Sequence, residues 1–455
     1  MMHRPLPKIL VLVGFMLAAH VIAEAQTHSV EFERSIMKKY GATRDIYDWL
    51  GLRSAEEDSI LMEQANNPKP GASTPMTLIL IPVIAGNPNL GLQIGFAGQA
   101  GYYLGSAENT RMSTTQGCVT VTTKDQTIIS MQTTANTSGD AFQINTDWRY
   151  YIFSQKTFGL GTSAPEGTPV FGGINIGGIE TEPMPGEQPM DFTYLRLYQS
   201  GTFRITDKVY LGLGYMYDNH FKIVDKNLNL EADTPAVTSH WAYSKYNGFD
   251  SSQYSLGGVT LEAIYDGRDN PIAPFVGPYA RVSYRENQTW LGSTQASGQL
   301  WAEFRTYISL DDILPRHLFG IWAWYSGVAH GNLPYLDLPA LGYDFNGRSG
   351  RGYLQGRFRG PQMVYLEGEY RFPITKNGML GGVIFGNFTT ASRPSVTGIP
   401  DAESYDLKLF ERWRPAGGVG LRIMAQKYSR TSLNIDAGIS SDRQLALYFS
   451  VGEAF

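Results

Sequence analysis

Apolar and polar residues alternate with a period of two along many short stretches of the chain. Val209, Leu211, Leu213, Tyr215 and Tyr217 fall on one face of an extended segment, and Tyr210, Gly212, Gly214, Met216 and Asp218 on the other. Phe142, Ile144, Trp148, Tyr150 and Ile152 oppose Gln143, Asn145, Asp147, Arg149 and Tyr151 in the same way, and Leu433, Ile435, Ala437 and Ile439 oppose Ser432, Asn434, Asp436 and Gly438. The pattern predicts strands starting near Met76, Leu90, Thr110, Gln126, Ala141, Asp191, Lys208, Ser252, Pro278, Gly298, His317, Pro361, Gly378, Pro415, Arg430 and Gln444, about sixteen in all. Connections after even-numbered strands are short, as at 205–208, 374–377 and 427–430. Several after odd-numbered strands are long: 156–190, 221–250, 330–360 and 389–414.

After Gln26 no stretch of eighteen apolar residues occurs, which excludes a helical membrane protein. A closed antiparallel sheet is the other way to cross a bilayer with every backbone polar group paired, and its strands carry this alternation. The fold class expected is all-β, a transmembrane antiparallel β-barrel of about sixteen strands. A soluble sandwich also alternates, but its inner faces are apolar and would not gather Asp147, Arg149, Glu303, Arg305, Glu367, Glu369, Arg371 and Arg422. Short turns then lie in the periplasm, long loops outside the cell, and both termini in the periplasm.

Composition agrees: only 17% of residues are charged, against roughly 25% in a usual soluble domain, and there are 27 Tyr and 22 Phe. With a net charge of −5 and no long basic run, nothing supplies the row of cations that nucleic acid requires. The single cysteine, Cys118, is read as a strand residue without metal-ligand neighbours, and no metal or cofactor is expected.

The start reads as an export signal: Arg4 and Lys8, the apolar run Ile9 to Ala19, then Ala23-Glu24-Ala25. The expected divisions are a signal peptide over 1–25, a short periplasmic segment and linker over 26–74, and the barrel over 75–455. The 26–74 segment has helical spacing and clustered charge followed by a Pro- and Gly-containing stretch. It is a tail or a plug.

Three stretches resemble the BamA/TamA family of outer-membrane barrels, also called the bacterial surface antigen family. Asp266-Gly267-Arg268-Asp269-Asn270-Pro271, with Pro274 and Gly277, is similar to the family's periplasmic turn after the eighth strand. Read alone, it is a Pro/Gly turn whose Asp side chains satisfy local N–H groups. Gly350-Arg351-Gly352-Tyr353, Gly356-Arg357-Phe358-Arg359 and Glu369-Tyr370-Arg371-Phe372-Pro373 resemble the family's loop after the eleventh strand and the strand that follows it. The resemblance implies an extracellular loop folded into the lumen, its Arg351-Gly352-Tyr353 tip pairing with Glu369. The family's second acidic partner stands here as Asn387, which removes a charge from the clamp. The ending, with Leu445, Leu447, Phe449, Val451 and Phe455 of one parity, resembles an outer-membrane targeting signal closed by the aromatic Phe455. The family's POTRA modules have no room between Gln26 and the first strand.

The function expected is protein or lipid assembly, insertion or translocation in the outer membrane, as an insertase-like barrel or accessory subunit. The alternative is a passive outer-membrane channel, favoured by the polar lumen. Expected partners are outer-membrane lipid and lipopolysaccharide, with other envelope assembly proteins or client barrels. Ser239, His240 and Ser244 share a predicted external loop, but no sequence feature places an acid with them, so no enzyme is expected. An insertase-like role needs a weak seam between first and last strands. Pro82 lacks a ladder donor and Gly452 offers no side chain there.

Overall fold

The computed structural model describes residues 43–52, 54, 76–87, 91–106, 109–163, 175–176, 179–180, 182–183, 186–233, 235–345, 347–393 and 407–455. The predicted signal peptide and most of the 26–74 segment lie outside the described residues.

Sixteen strands form one sheet in which each pairs antiparallel with the next in sequence. The first eight are β1 (Thr77–Asn87), β2 (Gly91–Tyr102), β3 (Ser113–Thr122), β4 (Thr127–Asn136), β5 (Phe142–Thr157), β6 (Gln188–Arg204), β7 (Val209–Asp225) and β8 (Tyr254–Asp266). The others are β9 (Gly277–Asn287), β10 (Ser297–Ser309), β11 (Leu318–Gly331), β12 (Gln362–Pro373), β13 (Leu380–Ala391), β14 (Arg414–Gln426), β15 (Thr431–Ser440) and β16 (Leu445–Val451). Every predicted strand exists, because each keeps its period of two long enough to fix register: Leu211 sits opposite Phe203 on one side and Ala263 on the other. The alternating short and long connections place all long ones on one rim.

The two faces are inverted relative to a soluble protein. Leu80, Phe96, Val119, Trp148, Leu213, Ile321, Ile384, Val419, Leu447 and Phe449 are exposed, while Asp147, Arg149, Arg196, Asp218, Glu303, Arg305, Glu367, Glu369, Arg371 and Arg422 are buried. In water the outer belt would forfeit about 25 cal/mol for each Å² of apolar surface left wet, whereas lipid removes that cost. The inner face gathers the charges that strand parity assigns to it.

Three expectations are corrected. The sheet is not closed: among the described residues β1 and β16 form no ladder. Pro82 removes one donor from β1, and β16 has 7 residues against 11 in β1. Gly452 is not part of the last strand, as its φ of 74° ends the extended run. Phe455, expected on the outward parity of Leu447 and Phe449, is consequently buried on the inner side.

Among the described residues two short α-helices pack at opposite rims. Helix α1 (Ile46–Trp49) is opened by a capping box between Asp45 and Asp48, and these same carboxylates accept from the Lys427 backbone N–H (3.1 Å) and side chain (3.0 Å) in the β14–β15 turn. Helix α2 (Ser239–Tyr246) is capped by Thr238. It buries Ala242 and Tyr243 with Leu333, Tyr335, Leu336 and the upper inner-face residues Phe192, Tyr194 and Tyr254, an apolar cluster at the rim of long connections.

Candidate functional site: the 332–361 segment against the inner face

The connection between β11 and β12 is shaped from within by Asp344, whose carboxylate accepts from the N–H groups of Arg348 (3.1 Å) and Ser349 (2.8 Å) and from the Ser349 hydroxyl (2.6 Å). Gly350 donates its N–H to the Tyr365 hydroxyl at 2.9 Å. The turn so formed aims Arg351 at the inner faces of β12 and β15.

Arg351 is almost fully buried, a state tolerable for a guanidinium only with near-complete pairing. Its Nη2 pairs with both Glu367 and Glu369, its Nη1 pairs with Asp436 at 2.9 Å, and its Cζ lies 3.8 Å from the Phe385 ring centroid. Each carboxylate is shared onward to a different degree. Glu369 pairs with Arg371 at 2.7 Å, Asp436 with Arg422 at 2.5 Å, and among the described residues Glu367 accepts the Tyr365 hydroxyl and nothing else besides Arg351. Arg422 also reaches Glu453 at 2.9 Å. Arg351 itself lies outside the strands, and against the opposing effect of burial the three carboxylates hold its guanidinium well above its usual value.

Gly352 and Tyr353 complete the tip. Gly352 has a φ of 105°, and a Cβ there would stand 2.9 Å from the Ala416 Cβ and 3.2 Å from the Ile439 carbonyl. On the facing strand, a Cβ on Gly438 would stand 2.8 Å from the Gly352 nitrogen, so two glycines allow backbone to meet backbone. Gly352 donates to the Tyr448 hydroxyl (2.9 Å), which donates to the Tyr353 carbonyl (2.9 Å). The Tyr353 hydroxyl donates to the Pro415 carbonyl at 2.6 Å.

Asn387 sits in this cluster without being an acidic partner: its side-chain amide donates to the Arg351 carbonyl at 2.9 Å. The charge missing at that position is supplied by Glu367 and Asp436, which sequence reading did not assign to Arg351. Both carried the available signal, lying on the inward parity of their strands. Arg348, Tyr365, Tyr448 and Glu453 were likewise unassigned.

The turn after β8 is a separate unit. Arg268 forms a two-pronged pair with Asp266, both contacts at 2.9 Å, and Asp269 accepts from the N–H groups of Phe275 (2.9 Å) and Val276 (3.1 Å). A Cβ on Gly277, at φ 100°, would stand 2.1 Å from the Gly267 carbonyl oxygen, and Pro274 is buried within the same turn. The other oxygen of Asp269 pairs with Arg430 at 2.5 Å, tying this turn to the β14–β15 turn six strands away.

Pro82 lies on edge strand β1 opposite Phe96, exposed. Between β16 and the inner faces of β2 to β4 lies a cavity of about 350 Å³ lined by Val83, Gln93, Gln116, Cys118, Arg348 and Tyr448, among others. At the opposite rim His240 pairs with Asp225 at 2.7 Å and lies 3.2 Å from the Tyr254 hydroxyl, while the buried Ser244 hydroxyl makes no hydrogen bond among the described residues. Histidine and acid are together, and among the described residues no serine, threonine or cysteine hydrogen-bonds His240. Among the described residues no group of three His, Cys, Asp or Glu could hold a metal ion.

No protein-family model matches the chain, and no curated protein matches it by sequence. Among solved structures it is similar to a crystal structure of BamA from Haemophilus ducreyi lacking POTRA domains 1-3, with a TM-score of 0.49 and 12% identity over 84% of this chain and 70% of that one. It is also similar to CdiB from Acinetobacter baumannii, with a TM-score of 0.45 and 12% identity over 95% of this chain and 72% of that one. CdiB from Escherichia coli gives a TM-score of 0.45 and 11% identity over 83% and 62% of the two chains.

Proposed function

We propose that this chain is an outer-membrane barrel that assists the assembly, insertion or translocation of proteins or lipid, as an insertase-like or accessory subunit whose seam opens sideways. In this reading 332–361 is an extracellular loop folded into the lumen. Its docked tip keeps the wall formed by β12 to β16 rigid while the edges of β1 and β16 stay free. The observation that carries the proposal is the missing ladder between those two strands. An unpaired edge presents a row of N–H and C=O groups that an incoming strand can satisfy. Partners would be outer-membrane lipid and lipopolysaccharide, and client barrel or envelope assembly proteins.

A passive channel is the second reading, favoured by the buried charges of the inner face. It requires an open axis. Against it stands the packing of Leu341, Tyr353, Phe358 and Phe455 on Trp322, Trp324 and Tyr365, which occupies the interior beside β10 to β13.

The two readings separate by locking the seam. In a Cys118→Ser background, cysteine pairs placed across 77–83 and 445–451 at Cα separations that permit a disulfide would be oxidised in cells. The expected result is loss of complementation of a deletion strain, restored by reduction. A locked protein that works normally would eliminate sideways opening and leave the channel.

A further inference from the structure

Beyond β16 the chain turns through Gly452 and runs across the inner face. Gly452 lies against Gln99 of β2, such that a Cβ there would stand 2.8 Å from its Oε1. Three residues later Phe455 packs on Tyr307 of β10 and Trp322 of β11, with ring centroids 6.0 and 5.3 Å apart. The wall is shaped to receive it: a Cβ on Gly320 would stand 3.2 Å from the Phe455 ring, and the Arg371 guanidinium lies 5.3 Å from that ring. Segment 452–455 therefore spans from the edge strand to strands four to six places away.

Besides the Tyr307 ring and, on the neighbouring β15, Ser432 and Asn434, which bond Gly452 at 2.8 and 2.5 Å, four groups hold this segment, and these four differ in what each would lose if it left. Arg422 would lose Glu453 but keep Asp436 at 2.5 Å. Arg371 would lose Glu453, 3.8 Å away, and the Phe455 carbonyl, but keep Glu369 at 2.7 Å. Trp322 would lose a ring contact but keep its indole bond to Glu303 at 2.8 Å. Arg348 would lose every acceptor of its side chain among the described residues, since its guanidinium donates to the Val451 carbonyl at 2.6 Å, the Gly452 carbonyl at 2.6 Å and the Glu453 carbonyl. No carboxylate lies within ion-pairing distance of it among the described residues, and burial pushes its guanidinium down to about 10. Arg348 is half-buried, and giving up all three carbonyl acceptors together is the largest hydrogen-bond loss of the four.

We infer that Arg348 is a positioning residue, a latch by which the 332–361 segment decides whether the end of β16 and segment 452–455 stay folded against the inner face. Asp344 and Ser349 fix its backbone two residues before Gly350. The clamp at Arg351 and the latch at Arg348 thus belong to one turn, and undocking the tip would release the edge strand. The functional sense of that release rests on the seam-opening reading above, whereas the latch itself does not.

The test reads the position of the segment directly. In a Cys118→Ser, Ala454→Cys background, the rate of modification by a water-soluble maleimide is measured on folded protein in detergent, with heat-modifiable gel mobility as the folding control. Arg348→Gln is expected to raise the rate at least tenfold with mobility unchanged, and Arg422→Gln to raise it far less. Arg348→Lys, which keeps the charge but loses the fork, should fall between, and it carries the comparison if Arg348→Gln does not fold. Equal rates in the Arg348 variants and their parent, or a larger effect of Arg422→Gln, would overturn the assignment. Fast modification in Arg348→Gln combined with full function of the locked seam would sink sideways opening and leave the latch standing.

Discussion

Replacing Arg351 by Met keeps an unbranched stem and removes the charged guanidinium, and the structure specifies which group suffers. Glu369 retains Arg371 at 2.7 Å and Asp436 retains Arg422 at 2.5 Å. Glu367 is left buried with the Tyr365 hydroxyl alone among the described residues. Removing one partner from a buried pair costs about 3–5 kcal/mol, most of it the penalty on the stranded charge. Arg351→Met should therefore destabilise by about that amount. Neutralising the stranded group with Glu367→Gln should return roughly 2 kcal/mol of it, while Glu369→Gln in the same background should return under about 1 kcal/mol, because Glu369 was never stranded. Urea unfolding in detergent micelles, followed by tryptophan fluorescence, gives the four midpoints of each double-mutant cycle. Additivity within about 0.5 kcal/mol in the Arg351/Glu367 cycle would refute the reasoning, as would a larger coupling to Glu369 than to Glu367.

Gly352→Ala forces an L side chain to φ 105° and places its Cβ 2.9 Å from that of Ala416, so it should destabilise by about 1–3 kcal/mol in the same assay. An unchanged midpoint would show that the tip does not pack on β14 and β15 in solution. Export should remove residues 1–25, since a short apolar run followed by Ala23-Glu24-Ala25 suits a signal peptidase. Intact mass of protein taken from outer membranes reads this, and a mass retaining Met1 to Ala25 would contradict it.

Strand number, order and face were legible because each is a local property. A period of two, sustained over ten residues, fixes which side chains point inward whatever the rest of the chain does. That is why Asp147, Glu303, Glu369 and Arg422 are all found on the buried face. Parity also delivered the ingredients of the Arg351 cluster without the pairing. Glu367 and Glu369 are indistinguishable in the sequence, and so are their claims on Arg351. Only the positions of Arg371 and Tyr365 make one doubly paired and the other dependent. Asn387 shows the converse, a position marked by resemblance whose charge came from Asp436 on a strand two places farther along the sheet.

By itself, then, the sequence determined a sixteen-stranded antiparallel sheet with an apolar outside and a charged inside, since both follow from alternation and the length of its runs. Tertiary structure alone decided what the connecting segments do. The packing of 332–361 on the inner wall, the Asp269–Arg430 tie between distant turns and the inward path of 452–455 depend on residues tens to hundreds of positions apart. The failure of β1 and β16 to pair is of the same kind. Parity extended through Gly452 would have carried Phe455 outward, but a single left-handed residue breaks the period, and the socket at Gly320 and Trp322 fixes where the chain goes next.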